Sequence, residues 1–223
     1  MDEPILSRKE RQVLTRQQLL VAAAEVFAAR GYHGATVSQI AASAGYTTGA
    51  VYSNFASKEG LFLALIDQQL EVQRTGLEEL LDEDDPAKLR AQHRARIAGV
   101  VTALTQSSPD DEPAGTGGEL TAIQLWTLTV EFLLYALRER PDLRPAISQR
   151  PRQLQEQLGR VIEHGLELEG RASALEPRQI ALAHSILIEG LALRLMQDPD
   201  LISPEGAADL ITALLFDFPA SSQ

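Results

Sequence analysis

Apolar residues along the chain recur at spacings of three and four, and alternating runs are missing, so the pattern predicts an all-α fold. Leu19, Leu20, Ala23, Val26 and Phe27 lie on one stripe of a first helix from about Thr15 to Arg30, with Gly31 at its C-terminal end. Arg8, Lys9 and Arg11 precede it and read as a flexible basic arm. Val37, Ile40, Ala41 and Ala44 then follow the i, i+3, i+4, i+7 rhythm of a second buried face. That helix opens at Thr36, whose hydroxyl caps while Gln39 answers three positions on. Gly45 supplies the positive φ of a tight turn, and Thr47 caps a short third helix anchored by Val51 and Phe55. Ser57 is the expected cap of a fourth helix, Lys58 to about Leu81.

Beyond an acidic break at Asp82 to Pro86, a fifth helix is expected over Pro86 to Thr105. Serine, proline, aspartate and glycine then cluster without periodicity from Gln106 to Gly118, which reads as a loop. Its glycines lack the preceding strand and the GK[ST] ending of a phosphate loop. Further helices are expected at Glu119 to Arg140, Leu143 to Glu169, Arg178 to Gln197 and Pro204 to Phe216, about nine in all. The architecture expected is an N-terminal three-helix domain, 1–57, followed by a helical bundle, 58–223.

Thr36 to Phe62 has the anatomy of a helix-turn-helix. A capped amphipathic helix leads through a glycine turn into a short helix with a polar outer face. Ala41, Ala44 and Ala50 are small where such helices cross, and Thr47, Thr48 and Gly49 form a polar N-terminus fit to reach base edges. An ordinary helical hairpin is the plain alternative. The run AAAEVFAARGYHGATVSQIAASAGYTTGAVYSNFASKEGLF resembles the TetR-type transcriptional regulators. The resemblance rests on Phe27, the Gly31-Tyr32 corner, Thr36, Ile40-Ala41, Gly45, Tyr52, Phe55, Lys58 and Leu61. It covers about Thr15 to Leu65 and weakens beyond to helix number and rhythm. Gly60 stands where the family usually has an acidic residue, a departure that reads as harmless.

The resemblance implies that Thr36, Tyr52 and Lys58 bind phosphates and that Thr47, Thr48 and Gly49 approach the major groove. Hydroxyls, an ammonium and helix N-terminal amides are groups that hold phosphate oxygens. Tyr46, Ser53 and Asn54 are further DNA-facing candidates, although turn and cap residues are polar for structural reasons too.

Apolar breadth in the last two helices suggests burial on more than one side. His184, Leu187, Ile188, Leu191, Leu195, Ile211 and Leu215 are the expected surface of a homodimer, and the resemblance implies a four-helix interface there. The alternative is that both helices only close the monomer core. Trp126, Thr129, Glu131 and Tyr135, facing Phe62, Leu65, Ile97, Val100, Val101 and Leu104, could wall a pocket for a small apolar or amphipathic effector. The resemblance implies such a pocket; a solid core, with Glu131 facing solvent, is the other reading.

The net charge of −11 is unlike a nucleic-acid binder until the chain is divided near Gly60. Residues 1–60 hold six basic and five acidic side chains, the remainder 14 and 26, so the acidity belongs to the back half. With no cysteine there are no disulfides or thiolate sites, and the charged start MDEPILSRKER is not a secretory signal. His33, His93, His164 and His184 show no metal spacing, and no GxSxG or dinucleotide fingerprint occurs; no enzyme, cofactor or metal is expected. The expectation is a cytoplasmic homodimeric regulator that recognises an inverted-repeat operator in double-stranded DNA and is released from it by an effector. A ligand-independent DNA-binding structural protein and, more remotely, an enzyme on a helical bundle are the alternatives.

Overall fold

The computed structural model describes residues 7–106 and 120–216, and all but the first residue of the expected 106–118 loop lies outside them. Among the described residues every regular element is helical: α1 (Arg8–Gly34), α2 (Val37–Ser43), α3 (Thr48–Phe55), α4 (Lys58–Leu81), α5 (Pro86–Gln106), α6 (Ala122–Arg138), α7 (Arg144–Leu168), α8 (Pro177–Leu195) and α9 (Pro204–Phe216), with a short 3-10 turn at Pro141–Leu143. No helix among them is long and apolar enough to cross a membrane.

Two helices begin where a capping signal, rather than the apolar stripe, starts them. Ser7 accepts the Glu10 N–H and Glu10 reaches back to the Ser7 N–H, so Arg8, Lys9 and Arg11 are the first turns of α1 and not a flexible arm. Thr121 and Gln124 make the same reciprocal box, and α6 therefore opens at Ala122.

The chain divides into two compact units, Met1–Gln68 with Ser108–Asp142, and Gln69–Ser107 with Leu143–Gln223. In the first, α1 packs on α2 and α6, and α2 on α3. Its core is Leu19, Ala23, Phe27, Tyr32, Ile40, Val51, Leu61, Phe62, Leu65, Leu128 and Phe132. The Tyr32 ring sits 4.9 Å from Phe132 and 5.1 Å from Phe62, edge-on to both, as aromatic quadrupoles prefer.

In the second unit α5 packs on α9 and α7 on α8. Leu80, Leu89, Leu158, Val161, Ile162, Ile180, Ala181, Leu215 and Phe216 form one cluster; Ile97, Val101, Leu195, Ala207, Ala208 and Ile211 form another. An imidazole pair lies in this unit, His93 buried and His184 half-buried. His93 Nε2 is 3.3 Å from His184 Nε2, and His93 Nδ1 is 3.1 Å from the Thr212 hydroxyl. Burial, followed by the neighbouring His184 and Arg96, pushes His93 down to about 3; burial alone pushes His184 down to about 4. These packing boundaries differ from the functional division expected at residue 57, since α6 belongs with α1–α3.

Candidate nucleic-acid interface

The helix-turn-helix is built from reciprocal caps. Thr36 Oγ1 accepts the Gln39 N–H at 3.3 Å while Gln39 Oε1 accepts the Thr36 N–H at 3.0 Å, so α2 starts at Val37. Gly45 turns the chain at φ 73°, where a side chain would be strained, and the Tyr46 N–H closes on the Ala41 carbonyl at 2.8 Å. Thr47 Oγ1 then accepts the Ala50 N–H at 3.2 Å and starts α3. Val51 and Phe55 are buried beneath that helix, and the Arg16 guanidinium covers the Phe55 ring at 4.3 Å.

What α3 leaves outside is polar. Thr47, Thr48, Gly49, Tyr52 and Ser53 are exposed, as is Thr36 at the start of α2, and Tyr52 is 53% exposed. Tyr46 and Asn54 are half-buried and already partnered: the Tyr46 hydroxyl donates to Gln18 Oε1 at 2.5 Å, and the Asn54 amide donates to the Ala50 carbonyl at 2.8 Å. The Ser53 hydroxyl also donates to Ala50, at 2.9 Å, but stays in water. One patch therefore presents hydroxyls, a phenol and the free N–H groups of a helix N-terminus, the chemistry that phosphate oxygens and base edges accept.

Lys58, the third residue expected at a phosphate, has partners within the chain. Its ammonium donates to the Tyr32 carbonyl at 2.8 Å and the Ala35 carbonyl at 3.0 Å, and lies 4.4 Å from the centre of the Tyr32 ring. Burial pushes its pKa down, although the adjacent Glu59 charge opposes that shift. The side chain thus ties the first turn of α4 to the end of α1. Gly60 is not a harmless departure either: a Cβ there would run into the Phe55 carbonyl oxygen, so the turn between α3 and α4 has no room for a side chain.

The corner after α1 has a second support. Gly31 adopts φ 67° and ψ 171°, which interrupts the helix and frees the Tyr32 N–H. Glu131 of α6 accepts that N–H through Oε2 at 2.6 Å. One helical turn on, the Tyr135 hydroxyl donates to Glu59 Oε1 at 2.7 Å, and Arg140 Nη1 joins the same oxygen at 3.0 Å. Burial alone would raise the Glu59 carboxyl, but hydrogen bonds from Tyr135, its own backbone and Ser57, with the Arg140 charge, hold it below the usual range.

The expected effector-pocket residues fall in both units. Phe62 and Leu65 are buried in the core of the first, where Trp126 is half-buried and Thr129 is exposed with its hydroxyl on the Leu125 carbonyl. Glu131 and Tyr135 are half-buried and engaged with α1 and α4 respectively. In the second unit Ile97, Val101 and Leu104 are buried and Val100 is exposed.

The residues of the expected dimer stripe are not equally free to meet a second chain: His184, Leu187, Ile188 and Leu191 are half-buried. Leu195, Ile211 and Leu215 are wholly enclosed in this chain's own core, and Leu187, Ile188 and Leu191 pack against the same cluster. His184 is bonded to His93. A side chain with no exposed surface cannot meet a second chain. The free apolar surface lies on the opposite side of the same helices: Leu182, Ile186 and Leu193 on α8, and Leu210 and Leu214 on α9. Both stripes of α8 repeat at helical spacing, so periodicity could not tell the inner from the outer. The imidazole pair, 91 residues apart in the chain, had no local signal at all.

Comparison with known proteins places this arrangement. Residues 19–65 match the family described as bacterial regulatory proteins, tetR family, and residues 118–218 match the BetI-type transcriptional repressor C-terminal family. The transcriptional activator FasR of Mycolicibacterium smegmatis is 40% identical over 88 residues, 39% of this chain and 38% of that one. The repressor AcnR of Corynebacterium diphtheriae is 42% identical over 62 residues, 28% of this chain and 32% of that one. The chain thus matches 38% and 32% of the length of these two curated relatives. The fold likeness runs further. A TetR-family regulator from Rhodococcus sp. superposes with a TM-score of 0.65 at 22% identity, covering 89% of this chain and 95% of that one. Bacillus subtilis FadR, solved with stearoyl-CoA, gives 0.64 at 19% identity over 89% and 96%. With the capped helix-turn-helix at one end of the sequence and a matching C-terminal region at the other, the chain belongs to the tetR family of bacterial regulatory proteins.

Proposed function

We propose that this protein is a sequence-specific DNA-binding transcriptional regulator, acting in the cytoplasm as a homodimeric repressor that a small apolar or amphipathic effector releases from its operator. The observation that carries the reading is the outer face of α3. A helix anchored by Val51 and Phe55 keeps Thr47, Thr48, Gly49, Tyr52 and Ser53 in water, beside the exposed Thr36. In this reading Thr48 and Gly49 approach base edges, while Thr36 and Tyr52 hold phosphates. The chain works by binding, not by turnover.

Two copies associate through the outer faces of α8 and α9, where Leu182, Ile186, Leu193, Leu210 and Leu214 would leave water together. Effector release requires that the effector bind better to a state whose recognition helices do not fit successive major grooves. Stearoyl-CoA is the ligand in the Bacillus subtilis FadR structure and makes a long-chain acyl-CoA the first effector to try. Selection from a pool of random duplexes tests the reading. Recovery of an inverted repeat with half-sites about 34 Å apart, or a multiple of one turn, is the expected result. Enrichment of no sequence would refute it.

A further inference from the structure

Glu131 and Tyr135 stand one turn apart on α6 and grip the two places where the chain enters and leaves the helix-turn-helix. The entry is the Gly31-Tyr32 corner. Once Gly31 has broken α1, the Tyr32 N–H has no helical acceptor, and the Glu131 carboxylate supplies one at 2.6 Å from a residue 99 positions away. The fit is close from both sides. A Cβ on residue 31 would sit 2.9 Å from Glu131 Oε2 and 3.1 Å from Oε1, so a side chain there would push the carboxylate aside, and the φ of 67° strains it besides. The exit is the first turn of α4, where Glu59 Oε1 receives the Tyr135 hydroxyl at 2.7 Å and Arg140 at 3.0 Å. Lys58 joins the two places, since it leaves that same turn and donates to the Tyr32 carbonyl.

We propose that Glu131 and Tyr135 are positioning residues for DNA reading: from α6 they fix the orientation of α2 and α3, and they do not line an effector pocket. Tyr32 is held at its N–H by Glu131, at its carbonyl by Lys58, and at its ring by Phe62 and Phe132. A displacement of α6 therefore reaches the entry and the exit of the helix-turn-helix together. Sequence-specific contacts tolerate little rotation, because bidentate base readout needs hydrogen-bond geometry, whereas attraction to phosphates tolerates much more. Loosening the grip should cost specific binding and spare non-specific binding.

The inference rests on α3 reading DNA. Its test compares affinity for the duplex selected from a random pool with affinity for a scrambled duplex of equal length and composition, at a temperature well below each variant's melting transition. Glu131→Ala is expected to lower the specific-to-scrambled ratio by about tenfold, the loss of one charge-assisted hydrogen bond's worth of orientation. Affinity for the scrambled duplex should not change. Glu131→Gln, whose amide oxygen can still accept the Tyr32 N–H, should recover most of the ratio. Tyr135→Phe removes only the hydroxyl on Glu59 and should lower the ratio about threefold, and it carries the decision if Glu131→Ala does not fold. A wild-type ratio in every folded variant, with only the melting temperature lowered, would make both residues merely structural and overturn the proposal. A wild-type protein that prefers no duplex in the pool would overturn the DNA-reading assignment itself, a result distinct from unchanged variants of a specific binder.

Discussion

α3 and α8 are both amphipathic helices, and they differ in what they leave in water. α3 buries Val51 and Phe55 and exposes Thr48, Gly49, Tyr52 and Ser53; α8 buries Ile180, Ala181, Ala192 and Leu195 and exposes Leu182, Ile186 and Leu193. An exposed polar face with free helix N–H groups suits a phosphate backbone and base edges. An exposed apolar face has no such use and gains most by covering itself with another apolar surface. The inner faces of the two helices look alike; their partners are distinguished only on the outside.

The comparison breaks most severely if the inner face of α8 is not core. Leu195→Ala should cost about 2–5 kcal/mol of folding stability, the range for truncating a fully buried leucine, and chemical denaturation will read it. A loss under about 0.5 kcal/mol, as at a surface site, would mean that the inner and outer stripes have been exchanged. The next effect belongs to the outer face. Ile186 is 60% exposed and Leu214 43%, so Ile186→Glu with Leu214→Glu should leave the fold of one chain intact and give monomers by sedimentation. Loss of paired half-site engagement should then weaken operator binding by about 100-fold or more. A dimer unchanged by both substitutions would place the interface elsewhere.

The smallest effect is one of pH and belongs to the core behind α8. His93 and His184 are held neutral, at about 3 and about 4, whereas the unfolded chain takes up protons near the ordinary 6.5. Between those limits the unfolded state binds more protons, so stability falls as pH falls below about 6.5 and is full above it. From pH 7 to pH 6 the pair should cost on the order of 1 kcal/mol. Urea melts of His93→Gln beside the wild type check this: the pH slope should shrink in the variant. Equal slopes would mean that the imidazoles are not buried neutral.

The two helices were also unequally legible in the sequence. Around α3 the signals are local: Thr36 with Gln39, Gly45 and Thr47 each act within four residues of themselves, and each lies where the spacing puts it. Ser7 with Glu10 and Thr121 with Gln124 are equally local, but apolar periodicity sets the expected starts of α1 and α6 at Thr15 and Glu119, on either side of where those caps lie. Around α8 the helix itself was plain, but its direction was not, since apolar residues occur on both sides and only tertiary packing decides which side α5 and α9 cover. Glu131 shows the same limit: a carboxylate amid apolar residues suggests a pocket or solvent, and nothing local announces a freed N–H at Tyr32. Lys58 shows a related limit, because an ammonium beside a helix-turn-helix suits a phosphate as well as it suits the two carbonyl oxygens that it meets here.

The central claim, that the outer face of α3 reads DNA, is tested most directly by measuring Thr48→Ala and Tyr52→Phe against the selected operator and its single-base variants over a range of salt. Thr48→Ala should relax discrimination at one base position in each half-site, by about 1–3 kcal/mol or less, and leave the salt slope alone. Tyr52→Phe should weaken all the duplexes alike, because a phosphate contact carries no sequence information. Both variants retaining wild-type affinity for every duplex, with the fold intact, would contradict the account.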